Sequence, residues 1–276
     1  MKLGNFTLKL LSEGRFKLDG GVVYGVAPRI LWEKYMAPDE NNCIPLELTM
    51  LLVKTPEGVV LIESGIGPNC PPYLEKIYQV ERTSSVPHEL EKAGIDPEDV
   101  NYWILTHLHF DHLGGIGSPG RKHIVCPNAR IVIQEKEWNA AHHPHLRDKT
   151  AYLAEDLEML EKSGRLMLVD GDSEILAGIK VHLTGGHSPG HQVVFLESQG
   201  EKACFAGDLI PMPGNERLLW VSAIDGEPMK SVEEKARLLP LVIEEQWIVF
   251  LGHFPCCGYI KKEGKHPKFI KNEVLT

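Results

Sequence analysis

The sequence predicts an α/β fold, layered with sheets inside and helices outside. Three observations predict it. Strand-like and helix-like apolar patterns follow one another in the order strands, helix, strand, helix, strands, helix, strand, which a layered arrangement accommodates. The 276 residues are 43% hydrophobic and 24% charged, an ordinary globular balance with enough apolar surface for a substantial core. No repeat, low-complexity segment or Pro/Gly/Ser linker interrupts the chain, so residues 1–276 read as one domain.

Taken in order, "LELTMLLVKT" (Leu46–Thr55) and "GVVLIESG" (Gly58–Gly65) are β-rich runs joined by a Pro-Glu-Gly turn, the signature of a hairpin. "PPYLEKIYQV" reads as a helix opened by proline, and "SSVPHELEKAGI" as a second helix that ends near Gly94. "DPEDV" starts a short helical turn and "NYWILT" a buried strand. "ARIVIQ" (Ala129–Gln134) is a strand, followed by helix from Glu135 to about Ala141. In "TAYLAEDLEMLEKSG", Tyr152, Leu153, Leu157 and Leu160 form a helical stripe closed by Gly164. Four strand-like runs come next: "RLMLVD", "IKVHLTGG", "HQVVFLES" and "KACFAGD". "SVEEKARLLPLVIEEQ" reads as helical despite Pro240, and "WIVFLGH" as the final strand.

Charge and composition exclude several function classes. The formal net charge is −9, which gives no footprint for nucleic acid, since non-specific binding needs clustered Lys and Arg. The one basic cluster, Lys261 to Lys271, reads as a solvated surface. No apolar stretch reaches the roughly eighteen residues of a membrane span. The start, "MKLGNFTLKLLSEGRF", alternates polar and apolar residues and lacks the apolar core of a signal peptide. A cytoplasmic protein is expected, with Cys43, Cys70, Cys126, Cys204, Cys256 and Cys257 reduced.

The chemistry is concentrated in "HLHFDH". His107 and His109 alternate on an extended segment, so both imidazoles can face one side. Asp111 and His112 follow where the chain turns toward Gly114 and Gly115, which permit close backbone approach. Three more candidates each close a β-rich run: His187 in "GGHSPGHQ", Asp208 in "FAGDLIP" and His253 in "LGHFP". Seven N/O ligands exceed the four of a tetrahedral zinc site. They suit two divalent metals about 3.5–4 Å apart, sharing a carboxylate and a hydroxide. His88, His123, His182 and His266 read as structural or surface residues. The "WNAAHHPHLRDKT" stretch, with His142, His143 and His145, reads as an exposed loop or lid rather than a third metal site.

These residues resemble the HxHxDH signature of the metallo-β-lactamase superfamily, and "LIESG", "GGHSPGH", "FAGD" and "LGH" follow in that family's order. The resemblance implies an αββα sandwich, two central mixed β-sheets flanked by helices, with a dinuclear site at one sheet edge. It implies His107, His109 and His187 on the first metal, Asp111, His112 and His253 on the second, and Asp208 bridging them. Two positions depart from the pattern. Glu63 stands where the family usually has an Asp that supports a ligating imidazole; Glu can still accept that hydrogen bond. The Tyr that acyl homoserine lactonases carry after the bridging Asp is absent from "LIPM", with Tyr24 and Tyr35 as the leader's phenols.

Such a site lowers the pKa of bound water to about 7 in favourable zinc cases, and Asp111 is the candidate to shuttle the proton. The expected activity is a metallo-hydrolase acting on a small-molecule ester. The leader Asp19–Leu46 together with "GDLIP" resembles the lactonase-like, quorum-quenching branch, which implies a lactone substrate, an acyl homoserine lactone among them. Trp32, Tyr35 and Met36 of that leader read either as ordinary packing residues or as the lining of an apolar pocket, and relatives imply a homodimer packed through the leader. The rivals are a phosphodiesterase or nuclease and a glyoxalase II-like thioesterase of the same fold. A metal-stabilised binding protein without turnover fits poorly, since this ligand set leaves room for solvent. Zinc is the default metal for a His-rich site, with Mn, Fe and Co accepting similar ligands.

Overall fold

Period-two alternation decides how the β-rich runs pack. In the computed structural model, which describes residues 1–272, Leu51 and Val53 point to one side of their strand and Leu52 to the other. The same split separates Val60 and Ile62 from Leu61, Ile104 from Trp103, and Val132 from Ile131 and Ile133. Strands apolar on both faces must be covered on both faces, and here each sheet carries the other sheet on one side and helices on the other.

The first sheet has eight strands: β1 (Lys2–Leu3), β2 (Phe6–Asp19), β3 (Cys43–Lys54), β4 (Val59–Ile62), β5 (Glu81–Arg82), β6 (Val100–Ile104), β7 (Arg130–Gln134) and β8 (Leu166–Val169). Their order is β1-β2-β3-β4-β6-β7-β8, with β5 on β2. The β3–β4 pair is the antiparallel hairpin expected from Pro56–Gly58, while β4, β6, β7 and β8 run parallel. The second sheet has seven: β9 (Ser173–Leu176), β10 (Ile179–Leu183), β11 (Gln192–Ser198), β12 (Glu201–Phe205), β13 (Ile248–Phe250), β14 (Cys257–Glu263) and β15 (His266–Lys271). Among the described residues only β12–β13 is parallel there.

The helices are α1 (Gly20–Tyr24), α2 (Arg29–Trp32), α3 (Pro72–Ile77), α4 (Val86–Lys92), α5 (Phe110–Leu113), α6 (Glu135–His142), α7 (Ala154–Ser163) and α8 (Pro228–Glu244). Leu90 of α4 and Leu157 and Leu160 of α7 cover Trp103, Ile131 and Leu61 on the first sheet. Leu238, Leu239 and Val242 of α8 cover Cys204, Val249 and Ile260 on the second. Between the sheets lie Leu51, Val60, Ile104, Val194, Phe205 and Phe250. The layers are therefore helix, sheet, sheet, helix. Among the described residues no helix is long and apolar enough to cross a membrane.

Two expectations need correction. "WIVFLGH" is not the last strand, and Lys261–Lys271 is not merely a solvated run: β14 and β15 form an edge hairpin. Ile260 and Phe269 point inward while Lys261 and Lys268 pair on the exposed side. Charged side chains on an edge hinder pairing with other chains, which gives the hairpin its polar appearance.

Helix α8 also fixes the loop that precedes it. Lys235 is fully buried, and its Nζ donates to the carbonyls of Asn215 (2.9 Å), Arg217 (3.0 Å) and Trp220 (2.9 Å). Burial pushes the ammonium down to about 7, against the pull of Asp225 and Glu216. Lys235→Met should remove the donor for these carbonyls and cost about 2–4 kcal/mol. The check is the urea midpoint, and an unchanged midpoint would contradict this account of the loop.

Candidate metal centre

Each proposed ligand sits where a strand has just ended. β6 stops at Ile104, a short loop carries His107, and His109, itself extended, is the N-terminal cap of α5. The single turn of α5 swings Asp111 and His112 back toward His107. A Cβ on Gly114 would lie 1.9 Å from the Ile66 carbonyl oxygen, and one on Gly115 1.9 Å from that of Ser64. Only glycine lets α5 press against the loop after β4. His187 lies in the loop after β10, Asp208 in the 3-10 turn Gly207–Leu209 after β12, and His253 just past β13.

The seven side chains converge. One potential ligand atom from each of His107, His109 and His187 lies within 4.8 Å of the others, and the same holds for His107, His112 and Asp208 and for Asp111, His112 and His253. Asp208 reaches both ways: Oδ2 is 3.3 Å from His187 Nε2, and Oδ1 is 3.2 Å from His253 Nε2 and 3.5 Å from His112 Nε2. Asp111 Oδ2 lies 3.6 Å from Nε2 of both His112 and His253.

Most of the imidazoles are held by their remote nitrogen. Nδ1 of His107 meets Thr106 Oγ1 at 3.0 Å, that of His187 meets Asp225 Oδ1 at 2.9 Å, and that of His253 meets the Glu47 carbonyl at 3.0 Å. His112 Nδ1 lies 3.1 Å from Glu63 Oε2, while Glu63 Oε1 accepts from the Thr106 N–H at 3.0 Å. Partners of this kind fix tautomer and ring orientation for a metal. Glu63 has a left-handed backbone, φ 67°, an uncommon state for a non-glycine residue. Its carbonyl accepts from Trp103 Nε1 and its N–H donates to the Ile104 carbonyl.

The electrostatics suit cations. Burial, then neighbouring imidazoles, hold His107 and His109 well below the usual histidine range, which favours the neutral imidazole a metal requires. Burial opposes ionisation of Asp208, yet His253, His112 and His187 hold its carboxyl well below the carboxylate range. His112 Nε2 and Asp208 Oδ1 are buried and have no hydrogen-bond partner among the described residues. Buried polar atoms are rarely left so, and two aimed into one nest of nitrogen and oxygen donors fit a site for metal ions.

The nest opens into a cavity of about 250 Å³. His109, Asp111 and Asp208 form its floor, Phe16, Leu18, Val22, Tyr78, Phe110 and Ile224 its apolar walls, and Arg147, Asp148, Thr150 and Ala151 its rim. The exposed His142–His145 stretch thus leads into a loop at the mouth. Trp32, Tyr35 and Met36 do not line the cavity; of the two readings of the leader, packing residues or pocket lining, they take the first. Trp32 stacks on Tyr24 at 5.3 Å, Tyr35 meets Trp220 edge-on at 5.6 Å, and all pack with Met36 inside the leader. Tyr24 is committed as well, donating to the Pro213 carbonyl. Hydrogen bonds from Ala223 and Ser222 to the Val22 carbonyl hold the leader against the next loop, leaving Val22 to face the cavity.

Residues 47–253 match the sequence model of the metallo-β-lactamase superfamily. The chain belongs to that superfamily. Among curated members it is 28% identical over 236 residues to an N-acyl homoserine lactonase of Bacillus cereus, covering 77% of this chain and 83% of the relative. The solved structure of a probable metal-dependent hydrolase from Staphylococcus aureus is 32% identical with a TM-score of 0.91, covering 100% of both chains. The dizinc quorum-quenching lactonase AidC, solved with a product, shares the fold at TM-score 0.80 and 22% identity, over 100% of this chain and 97% of that one.

Two residues that support the site in this superfamily member, Asp225 and His191, are not among the seven proposed ligands. Asp225, on His187, sits 38 residues further along the chain. His191 accepts the Asp208 N–H at Nε2 and meets Thr184 Oγ1 at Nδ1. Burial and His187 push it down to about 3, so it is neutral. Its place four residues after His187 was the one available signal. Asp225 gave none.

Proposed function

We propose that the chain is a two-metal hydrolase that opens a lactone ring, with an N-acyl homoserine lactone as the substrate class. Zinc ions would be held by His107, His109 and His187 on one side and by Asp111, His112 and His253 on the other, with Asp208 between them. The observation that carries this reading is the ligand nest at the floor of an apolar-walled cavity. Lactonase relatives spanning 77% of the chain support the substrate class.

When bound, the metals supply Lewis acidity and acidify water to about neutrality. The chain's own residues do the rest. Phe16, Leu18, Val22, Phe110 and Ile224 take an acyl chain and exclude water from the reacting ester. Asp111 takes up the proton of the attacking water at Oδ1 and returns it to the alkoxide that leaves as the ring opens, as a general base and then acid. Tyr78 stacks on Phe110 at 5.3 Å and offers the cavity wall a phenol.

Arg147 on the rim favours the second reading, a phosphodiester substrate. Proton release in weak buffer separates the two. Metal-loaded protein is mixed with an N-acyl homoserine lactone or with a phosphodiester, and chelator-stripped protein is the control. Metal-dependent acidification with the lactone is expected. Turnover of the phosphodiester without the lactone would contradict the substrate class and leave the metals in place.

A further inference from the structure

We propose that Glu137 is a positioning residue for the first metal position, tying the His107–His109 segment to the His187 loop and seating Tyr152 against His109. Glu137 lies in the first turn of α6 and is fully buried. Its Oε1 accepts the Leu108 N–H at 3.0 Å and the Tyr152 hydroxyl at 3.1 Å. Its Oε2 accepts the Ser188 hydroxyl at 2.6 Å and the Gly190 N–H at 3.0 Å. Leu108 lies between two of the proposed ligands, and Ser188 follows the third. One carboxylate therefore holds both segments that carry the first position.

His109 makes this hold consequential. Nδ1 of His109 faces His107 Nε2 at 3.0 Å and His187 Nε2 at 3.2 Å. Its remote Nε2 has no hydrogen-bond partner among the described residues, whereas those of His107, His112, His187 and His253 are all held. What orients the ring instead is the backbone at Leu108 and the edge of Tyr152, whose ring centroid is 5.0 Å away. Both of these converge on Glu137 Oε1. The approach is close as well: a Cβ on Gly190 would lie 2.1 Å from the Glu137 nitrogen, so only glycine admits α6 there.

Each oxygen of Glu137 faces one backbone N–H, which can only donate. A glutamine in either flip would set its NH2 against one of them. Glu137→Gln therefore keeps size and shape but breaks one tie.

The test is metal affinity, read by competition with a chromophoric chelator on the full chain. Wild-type protein should take up two zinc ions. Glu137→Gln should weaken one of them by about 10–100-fold, the usual effect of losing an outer-shell partner, and leave the other within about twofold. In a His253→Ala background, where the second position is crippled, Glu137→Gln should weaken the remaining ion by the same factor. No loss in that background, or equal affinities in wild type and variant, overturns the assignment. A clamp that merely supports the fold would lower the Tm in chelator and leave both affinities unchanged. Tyr152→Phe and Ser188→Ala each remove one donor with less risk to folding. Each should weaken the same ion by less, and unchanged affinity in both would also overturn the assignment. The inference rests on the two-metal reading and not on the lactone, so wild-type protein that takes up no metal would defeat that reading first.

Discussion

Asp208→Ala is expected to abolish measurable turnover, lowering kcat by about 10⁴-fold or more, equivalent to at least 5 kcal/mol of transition-state stabilisation. The reason lies in what the side chain touches. Its two oxygens face opposite halves of the nest, Oδ2 toward His187 and Oδ1 toward His112 and His253. Removing it takes a ligand from both proposed positions at once, whereas losing any imidazole takes one from a single position. The metal count should fall from two to one or fewer. The Tm in chelator should change little, because the carboxylate is a buried charge that contributes mainly when cations are present. The rise in Tm on adding zinc, which reports binding to the folded state, should shrink. Full zinc stabilisation and wild-type turnover in this variant would remove the bridging role.

Asp111→Asn carries the second large effect and separates chemistry from binding. The amide keeps the shape and an oxygen toward His112 and His253 but cannot take up a proton. A loss of about 10²–10⁴ in kcat is expected, the usual contribution of a positioned general acid–base, with little change in KM. A binding protein without turnover would keep its function in this variant. Single-turnover rates of wild type and variant on the same lactone make the comparison, and equal rates would move the proton to another group.

Much of this was legible in the sequence because the decisive signals are local. The β3–β4 hairpin follows from a turn between two apolar runs. His107, His109, Asp111 and His112 announce themselves by sharing six positions, and His187, Asp208 and His253 by each ending a strand. What the residues around them do is not local. Glu137 lies in "EKEW", which reads as an ordinary helix start, and its Ser188 partner is 51 residues away. Asp225 sits in a loop whose course depends on Lys235 in the next helix. The leader left two readings open, packing or pocket lining, and the structure decides for packing. Trp32 is buried and Tyr35 and Met36 are half-buried, packed around Tyr24 and Trp220 instead of substrate. The β14–β15 hairpin was hidden by the lysines that protect its edge.

The most direct test of the central claim is anomalous scattering at the zinc edge from crystals of zinc-loaded protein. The account predicts two ions at full occupancy, one on His107, His109 and His187 and one on Asp111, His112 and His253, with an Asp208 oxygen on each. A single ion, or ions bound elsewhere with this nest empty, would contradict it.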